Sequence, residues 1–364
     1  MNIRKIQDVQ LKNKKVIFRV GIDVSIENGH AKEKFKIEAV KKAADYLMEK
    51  GAKVAIMTYL GRPDGKKDMN FSLEQIKNDV EEILGYKIVF VSDCIGEEVK
   101  NAMDELKEGE IVLLENVRFY PGEGSVKTGE EYDVEFAKKL AENFDIFVND
   151  AFSQSHRSQA SISGIPNFIP SYAGLLLQKE IEEMEKIKND FAHPAVAIIG
   201  GAKIETKLPV IKFFEEKYDN ILVGGKIANE ALDQKKEFSE KVILPFDFVD
   251  DRLDIGPKSL EKYKEIILSA KTIVWNGPTG KFEEEKYAVS SNEILKTILE
   301  IRTSNVHNGH SMSMPYVVVG GGETLEILEK NKAMEKIDFV STGGGAMLEY
   351  LGGGKMPGIL CLKD

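Results

Sequence analysis

Two glycine triplets, Gly320-Gly321-Gly322 and Gly343-Gly344-Gly345, each follow an apolar run and open a helical pattern. Glycine at such a turn lets backbone N–H groups face a bound anion with no Cβ in the way, and the helix that follows adds the positive end of its dipole. That arrangement suits phosphate. Strand-to-helix turns also carry glycine for packing alone, but two triplets at equivalent places in one half of the chain favour the anion reading. Upstream, Gly200-Gly201-Ala202 precedes Lys203 and Lys207. On a helix, a spacing of four puts both ammonium groups on one face. Two like charges so close are costly unless an anion lies between them, and a transferring phosphoryl group would be such an anion. A solvated lysine pair is the plainer alternative.

In the N-terminal half, arginines stand at the ends of apolar runs. Arg62 follows Tyr59-Leu60-Gly61, Arg118 lies just past Ile111–Leu114, and His156 and Arg157 come shortly after Val148. Guanidinium forks match carboxylate and phosphate oxygens, so three arginines at three strand ends point to a small anionic substrate, although any one alone could be a surface salt bridge. His156 beside Arg157 reads as a positioning residue whose pKa the cation lowers. No Ser–His–Asp or Cys–His pairing is visible. Gly280-Lys281 lacks the first glycine of a P-loop and is followed by Phe282 where Ser or Thr is needed, which excludes a Walker A site.

The elements that must position these groups alternate. Val- and Ile-rich runs predict strands at Lys15–Val20, Lys53–Met57, Lys87–Val91, Ile111–Leu114, Asp145–Val148, Ala195–Ile199, Asn220–Val223, Lys241–Leu244, Thr272–Trp275, Tyr316–Val319 and Asp338–Val340. Helical periods lie between them, among them Ile37–Glu49, Ser72–Leu84, Glu131–Asn143, Ser259–Leu268 and Ser291–Ile301. Alternation predicts an α/β fold with parallel sheets covered on both faces and ligands beyond the carboxyl ends of the strands. A chain of 364 residues exceeds one ordinary core, so two domains are expected. The division falls at the proline-bearing stretch Ile165–Ser171, ahead of a long helical pattern from Tyr172 to about Asp190 that could connect the halves. A net charge of -10 argues against nucleic acid as a partner. Cys94 and Cys361 are too isolated for a disulfide framework or a zinc site. No apolar stretch approaches the roughly 18 residues of a membrane span, and no signal-like apolar segment opens the chain, so a cytoplasmic location is expected.

With these residues in hand the chain resembles the phosphoglycerate kinase family. The motifs are Tyr-Leu-Gly-Arg-Pro, Leu-Leu-Glu-Asn-Val-Arg-Phe, Asn-Asp-Ala-Phe followed by His-Arg, Pro-Ser-Tyr-Ala-Gly, Gly-Gly-Ala-Lys, Leu-Asp-Ile-Gly-Pro, Val-Trp-Asn-Gly-Pro, Gly-Gly-Gly-Glu-Thr and Ser-Thr-Gly-Gly-Gly-Ala, in the family's order over nearly the whole chain. The resemblance implies two Rossmann-like three-layer αβα domains with mainly parallel sheets, joined by a long connecting helix and facing a cleft. Residues 1–171 would take the acid, 172–350 the nucleotide, and 351–364 would return toward the N-terminal domain. The implied reaction is reversible, Mg²⁺-dependent phosphoryl transfer between 1,3-bisphosphoglycerate and ADP, giving 3-phosphoglycerate and ATP, in a monomer that closes around its substrates. By the same resemblance Asp23, Tyr59, Arg62, Arg118, His156 and Arg157 would hold the phosphoglycerate. Lys36, Lys203, Lys207 and Gly344 would act at the transfer site. Gly201, Lys203, Lys207, Asn276, Glu283, Gly320, Gly321, Gly322, Glu323 and Thr324 would hold the nucleotide, with Glu323 linked to the metal. Such a division suits chemistry that needs positioning and charge stabilisation rather than a covalent nucleophile.

The departures from the family pattern are as specific. Gly21 stands where the family has an acid that grips the glycerate, with Asp23 as a partial substitute. Lys36 replaces an arginine and loses its fork; Tyr59 replaces a histidine; Thr206 replaces an acid; and Glu323 is one methylene longer than the usual Asp. The nucleotide half is shortened between Gly225 and Leu244 and between Val249 and Leu253, and Lys226 interrupts a glycine run. Three readings are therefore open: a divergent phosphoglycerate kinase, a related phosphotransferase acting on another acid, or a binding protein without activity on the same fold.

Overall fold

Short β-branched runs that are buried on both faces have one stable use, as parallel strands between layers of helix. In the computed structural model, which describes residues 2–124, 131–307 and 314–363, the predicted runs form two six-stranded parallel sheets. The first has the order Lys87–Val91, Glu110–Leu114, Lys53–Met57, Lys15–Val20, Ile146–Asp150, Ser171–Ala173. The second has the order Val242–Ile243, Asn220–Val223, Ala195–Ile199, Thr272–Asn276, Tyr316–Gly320, Phe339–Ser341. The α/β expectation holds, and two small antiparallel pairs, at Ile26–Ala31 and Phe248–Ile255, stand apart from the sheets.

Alternate residues of the first sheet feed two cores. Val16, Phe18, Val54, Ile56, Leu113 and Val148 pack with Ile37, Val40, Leu47 and Val80 of the helices Phe35–Glu49 and Lys77–Leu84. Ile17, Ala55, Met57, Val112 and Phe147 point the other way, onto Val99 and Met103 of Gly96–Glu105 and Phe136 and Leu140 of Val134–Ala141. This is the two-residue period of a strand. In each sheet the strand order reverses beside the strand that comes earliest in the sequence, where Val20 ends next to Asp150 and Ile199 next to Asn276. Such a reversal leaves a crevice beyond the strand ends.

One expectation is corrected here. The segment from Tyr172 is a strand before it is a helix: Ser171–Ala173 adds to the sheet edge and the helix runs Leu175–Asn189. Its backbone is claimed by neighbours, since Ala173 N donates to Arg4 O at 2.8 Å and Gly174 N to Asn149 O at 2.8 Å. Asp150 then accepts from Leu177 N at 2.8 Å and fixes the helix start. Two acidic residues of this helix, Glu180 and Glu183, are buried.

By internal contacts the chain forms two units, Met1–Ile181 with Lys355–Asp364, and Glu182–Gly354. The C-terminal segment is sewn into the first unit: Asn149 Nδ2 donates to Gly358 O at 2.9 Å, Gly358 N to Ser155 O at 2.9 Å, and Arg4 Nη2 to Cys361 O at 2.8 Å. Among the described residues no helix is long and apolar enough to cross a membrane. Ile359, fully buried in that segment, should matter to the whole first unit. Ile359→Ala is expected to lower unfolding free energy by about 2–5 kcal/mol, read as a shifted urea midpoint; an unchanged midpoint would show that the segment is dispensable.

Candidate functional site

In the first unit, loops at the carboxyl ends of the strands bring the sequence-predicted arginines together. Arg118 sits in the turn Val117–Phe119, which Asn116 builds: its Oδ1 accepts from Arg118 N at 3.0 Å while its Nδ2 donates to Leu60 O and Phe71 O. The Arg118 guanidinium donates to Gly61 O at 2.8 Å and Gln154 Oε1 at 3.2 Å, and lies 3.5 Å from the centroid of the Tyr59 ring. Gln154 Nε2 donates in turn to the Tyr59 hydroxyl at 2.6 Å. Arg157 Nε donates to His156 Nε2 at 3.2 Å, which requires a neutral imidazole with its proton on Nδ1. Arg62 is exposed at the rim.

The closeness of these cations has electrostatic consequences. Arg157 is pulled below its ordinary pKa by burial, then by Arg118, with Arg62 adding to the effect. His156 falls to about 4, first because it is buried and second because of Arg157. Arg19 lies within the predicted strand Lys15–Val20 and was not singled out as a site residue. It is fully buried, lowered to about 10 by burial, and supported by the field of Glu123. Its Nε donates to Ser161 Oγ at 2.9 Å, and Ser161 Oγ donates to Glu123 Oε1 at 2.6 Å. An arginine inside an otherwise apolar strand was the signal for it. Gln154 offered no such signal.

Lys36 and Asp23 lie beside a cavity of about 390 Å³ that Gly61 and Phe71 also line. Lys36 Nζ donates to the Asp23 carbonyl, and Asp23 Oδ1 accepts from Gly61 N at 3.1 Å. At Gly21 a Cβ would lie 2.6 Å from Ser153 Oγ, so a serine hydroxyl occupies the space a side chain would need.

In the second unit the loops after Ala195–Ile199 and Thr272–Asn276 meet backbone to backbone. A Cβ on Gly200 would lie 1.9 Å from Pro278 O, and Gly277 adopts a φ of +97°. Only glycine permits this approach. Thr324 Oγ1 accepts from Gly277 N at 2.7 Å and ties in the next loop. Gly321, at a φ of +95°, sits against the Asn276 amide, and the helices Gly322–Lys330 and Gly345–Leu351 begin at the third glycine of each triplet. Gly320 faces Met347, whose sulfur also receives the Asn276 amide, and Gly344 takes a φ of +46°. Beside these loops is a cavity of about 420 Å³ lined by Gly201, Lys226, Leu253, Phe282, Glu283 and Glu323 among others. Lys226 and Leu253 come from the shortened segments and were not foreseen as lining.

Lys207 Nζ donates to Asn276 Oδ1 at 2.7 Å. Burial lowers its pKa to about 8 against the opposing pull of Glu323. Glu323 is raised by desolvation and by Glu283, with Lys207 working the other way. Lys203 departs from expectation. It is exposed, at a φ of +67°, and a 3₁₀ turn, Ile204–Thr206, separates it from Lys207, which caps the helix Leu208–Lys217. The two lysines are not one face of a helix, because the close-packed Gly200-Gly201 turn sets the backbone that follows.

Comparisons with known proteins span nearly the whole chain. A family model described as phosphoglycerate kinase matches residues 6–241 and 232–354. The phosphoglycerate kinase of Dictyoglomus turgidum is 36% identical, covering 100% of this chain and 98% of that protein. That of Pseudothermotoga lettingae is 37% identical, covering 99% and 98%. The first alignment runs over 408 positions against 364 residues here, so the relative carries segments without a counterpart in this chain. The crystal structure of the phosphoglycerate kinase from Pyrococcus horikoshii OT3 superposes with a TM-score of 0.83 at 28% identity, covering 99% of this chain and 98% of that one. That from Coxiella burnetii gives 0.77 at 29%, with the same coverage.

The depressed His156 makes stability depend on pH. In the unfolded chain its pKa returns to the ordinary 6.5, above the folded value of about 4, so the unfolded state takes up the proton first. Its contribution to stability is full above pH 6.5 and is lost as the pH falls toward 4. Urea midpoints at pH 7 and pH 5 should therefore differ less for His156→Gln than for the wild type; an equal difference would remove His156 as the cause.

Proposed function

The chain belongs to the phosphoglycerate kinase family, and we propose that its two units divide that family's reaction between acid and nucleotide. The protein is a phosphotransferase with a carboxyl group as acceptor. It moves a phosphoryl group reversibly between 1,3-bisphosphoglycerate and ADP, giving 3-phosphoglycerate and ATP. The other readings open at sequence level, a different acid or an inactive binding protein, have no support in the full-length similarity to phosphoglycerate kinases.

In this reading Arg62, Arg118, Arg157 and His156 take the phosphate of 3-phosphoglycerate. The observation that carries it is the gathering of these cations, close enough that Arg118 and Arg62 both depress Arg157, since like charges gathered at strand ends are relieved by an anion. Lys36 and Asp23 face the carboxyl end of the acid; Lys36 is free to exchange the Asp23 carbonyl for a substrate oxygen. Lys207 and Asn276, with Gly201, Gly320 to Gly322 and Thr324, take the nucleotide phosphates, and the backbone at Gly344 meets the transferring group. Lys203, exposed and tethered at the start of its turn, swings onto that group when substrates are bound. Charge neutralisation by lysines and backbone donors is what a phosphoryl transfer state requires.

Mg²⁺ fits the same cavity. Burial, and after it the Glu283 charge, raise the cost of ionising Glu323 there, and a divalent cation would relieve it. Among the described residues no three metal-ligating side chains gather into a cage, which suits an ion held by one carboxylate and the nucleotide phosphates. The bound ion supplies charge neutralisation of the phosphate oxygens. A cytoplasmic, monomeric enzyme completes the reading; it is supported by two cysteines that remain free thiols and by exposed apolar side chains scattered over unrelated elements.

A coupled assay of 3-phosphoglycerate-dependent ATP consumption with Mg²⁺ tests it. Lys203→Ala should lose about a hundredfold or more in kcat with its urea midpoint unchanged; undiminished turnover would refute its role. The free-enzyme pKa of Lys207, about 8, predicts that kcat/KM for the nucleotide falls as pH rises through 8 and the ammonium is lost. Lys207→Arg should remove that limb.

A further inference from the structure

Tyr59 stands in the middle of the arginine set yet is only 4% exposed. The Arg118 guanidinium lies 3.5 Å from its ring centroid and that of Arg19 5.4 Å away. Its hydroxyl accepts from Gln154, and Gln154 accepts from Arg118. Ring, amide and guanidinium thus close a loop of contacts. Burial and the Asp23 charge push the phenol up to about 12, so it stays neutral at working pH.

We infer that Tyr59 is a positioning residue for the acid site. Its ring holds Arg118 against one face and its hydroxyl, through Gln154, sets the rotation of the guanidinium before substrate arrives. The inference rests on the acid-binding role proposed above and assigns Tyr59 to orientation rather than to contact with the acid. Two physical reasons lead to it. Arg118 lies close enough to Arg19 and Arg157 to depress both, so something must offset the repulsion. A carboxylate in this place would do so but would compete with the substrate for the guanidinium fork, whereas a ring face attracts cations and leaves the in-plane N–H donors available. The second reason is entropy: an arginine already stacked and bonded loses less freedom when it binds. Direct contact between the hydroxyl and substrate is opposed by the burial of Tyr59 and by the bond from Gln154.

Steady-state kinetics on the full chain separate orientation from bulk structure. Tyr59→Leu should raise KM for 3-phosphoglycerate roughly tenfold, with a smaller change in kcat and no change in KM for ATP, which the other unit binds. Tyr59→Phe keeps the ring and should restore most of the affinity. Gln154→Leu keeps the ring but opens the loop, and should raise the same KM about threefold, which keeps the inference testable if Tyr59→Leu does not fold. An unchanged KM in both Leu variants would overturn it, as would a loss in Tyr59→Phe equal to that in Tyr59→Leu. If the wild-type protein does not turn over 3-phosphoglycerate, the acid-binding reading fails on its own account. Calorimetric titration of inorganic phosphate then decides the inference: weaker binding by Tyr59→Leu supports it, and equal binding overturns it.

Discussion

Crowded positive charge at the ends of parallel strands is the constraint on which the first unit depends. Burial lowers both Arg19 and Arg157, the nearby Arg118 lowers each further, and all three are wholly or partly withdrawn from water. Without compensation such a set would push its own loops apart. The compensation is graded by depth: the deepest cation, Arg19, has the field of the buried Glu123 and the Ser161 hydroxyl between them. The middle one has an aromatic face, and the outer ones have solvent. The Glu123 carboxyl thus supports the set from the buried side, while Asp23 is the acid beside it. The surface that meets an anion stays positive, which is what lets binding energy come from the substrate.

The second unit solves the opposite problem. Its cavity carries Glu283 and Glu323 with Lys207 alongside, and the carboxyl of Glu323 is raised as a result. Under the proposed function, a polyanionic nucleotide entering such a site would need a cation to travel with it. The loops that form the floor are held by glycine backbone packed on backbone at Gly200 and Gly277, so the phosphate-facing groups are set by covalent geometry rather than by side-chain rotamers. That rigidity matters where a displacement of an ångström costs rate.

Much of this was legible in the sequence. The strands were readable because each run is mostly apolar and β-branched, and the arginines because a guanidinium at a strand end has few structural uses. Other features were hidden for identifiable reasons. Ser171–Ala173 is a strand because it pairs with Ile146–Asp150 and Ala173 N donates to Arg4 O, contacts with residues distant in sequence. The helical face expected of Lys203 and Lys207 failed because a tertiary contact at Gly200 fixes the turn before them. Gln154 entered the site through the ring of Tyr59 and the fork of Arg118, a three-body contact with no local pattern.

The substrate-side departures also prove to be paired rather than isolated. Gly21 lacks a side chain where Ser153 Oγ fills the space, and Tyr59 in place of a smaller polar ring has Gln154 to hold its hydroxyl. Both partners come from one turn after Ile146–Asp150, so a single short segment has adjusted to two strands at once. Restoring an acid at Gly21 alone would drive its Cβ against Ser153, and removing Gln154 alone would leave the Tyr59 hydroxyl without its donor in a buried site, at a cost of about 1–3 kcal/mol. The loop Phe152–Gln154 and the strand ends it faces are therefore one unit of specificity, and the chemistry of the acid site cannot be assigned to either side by itself.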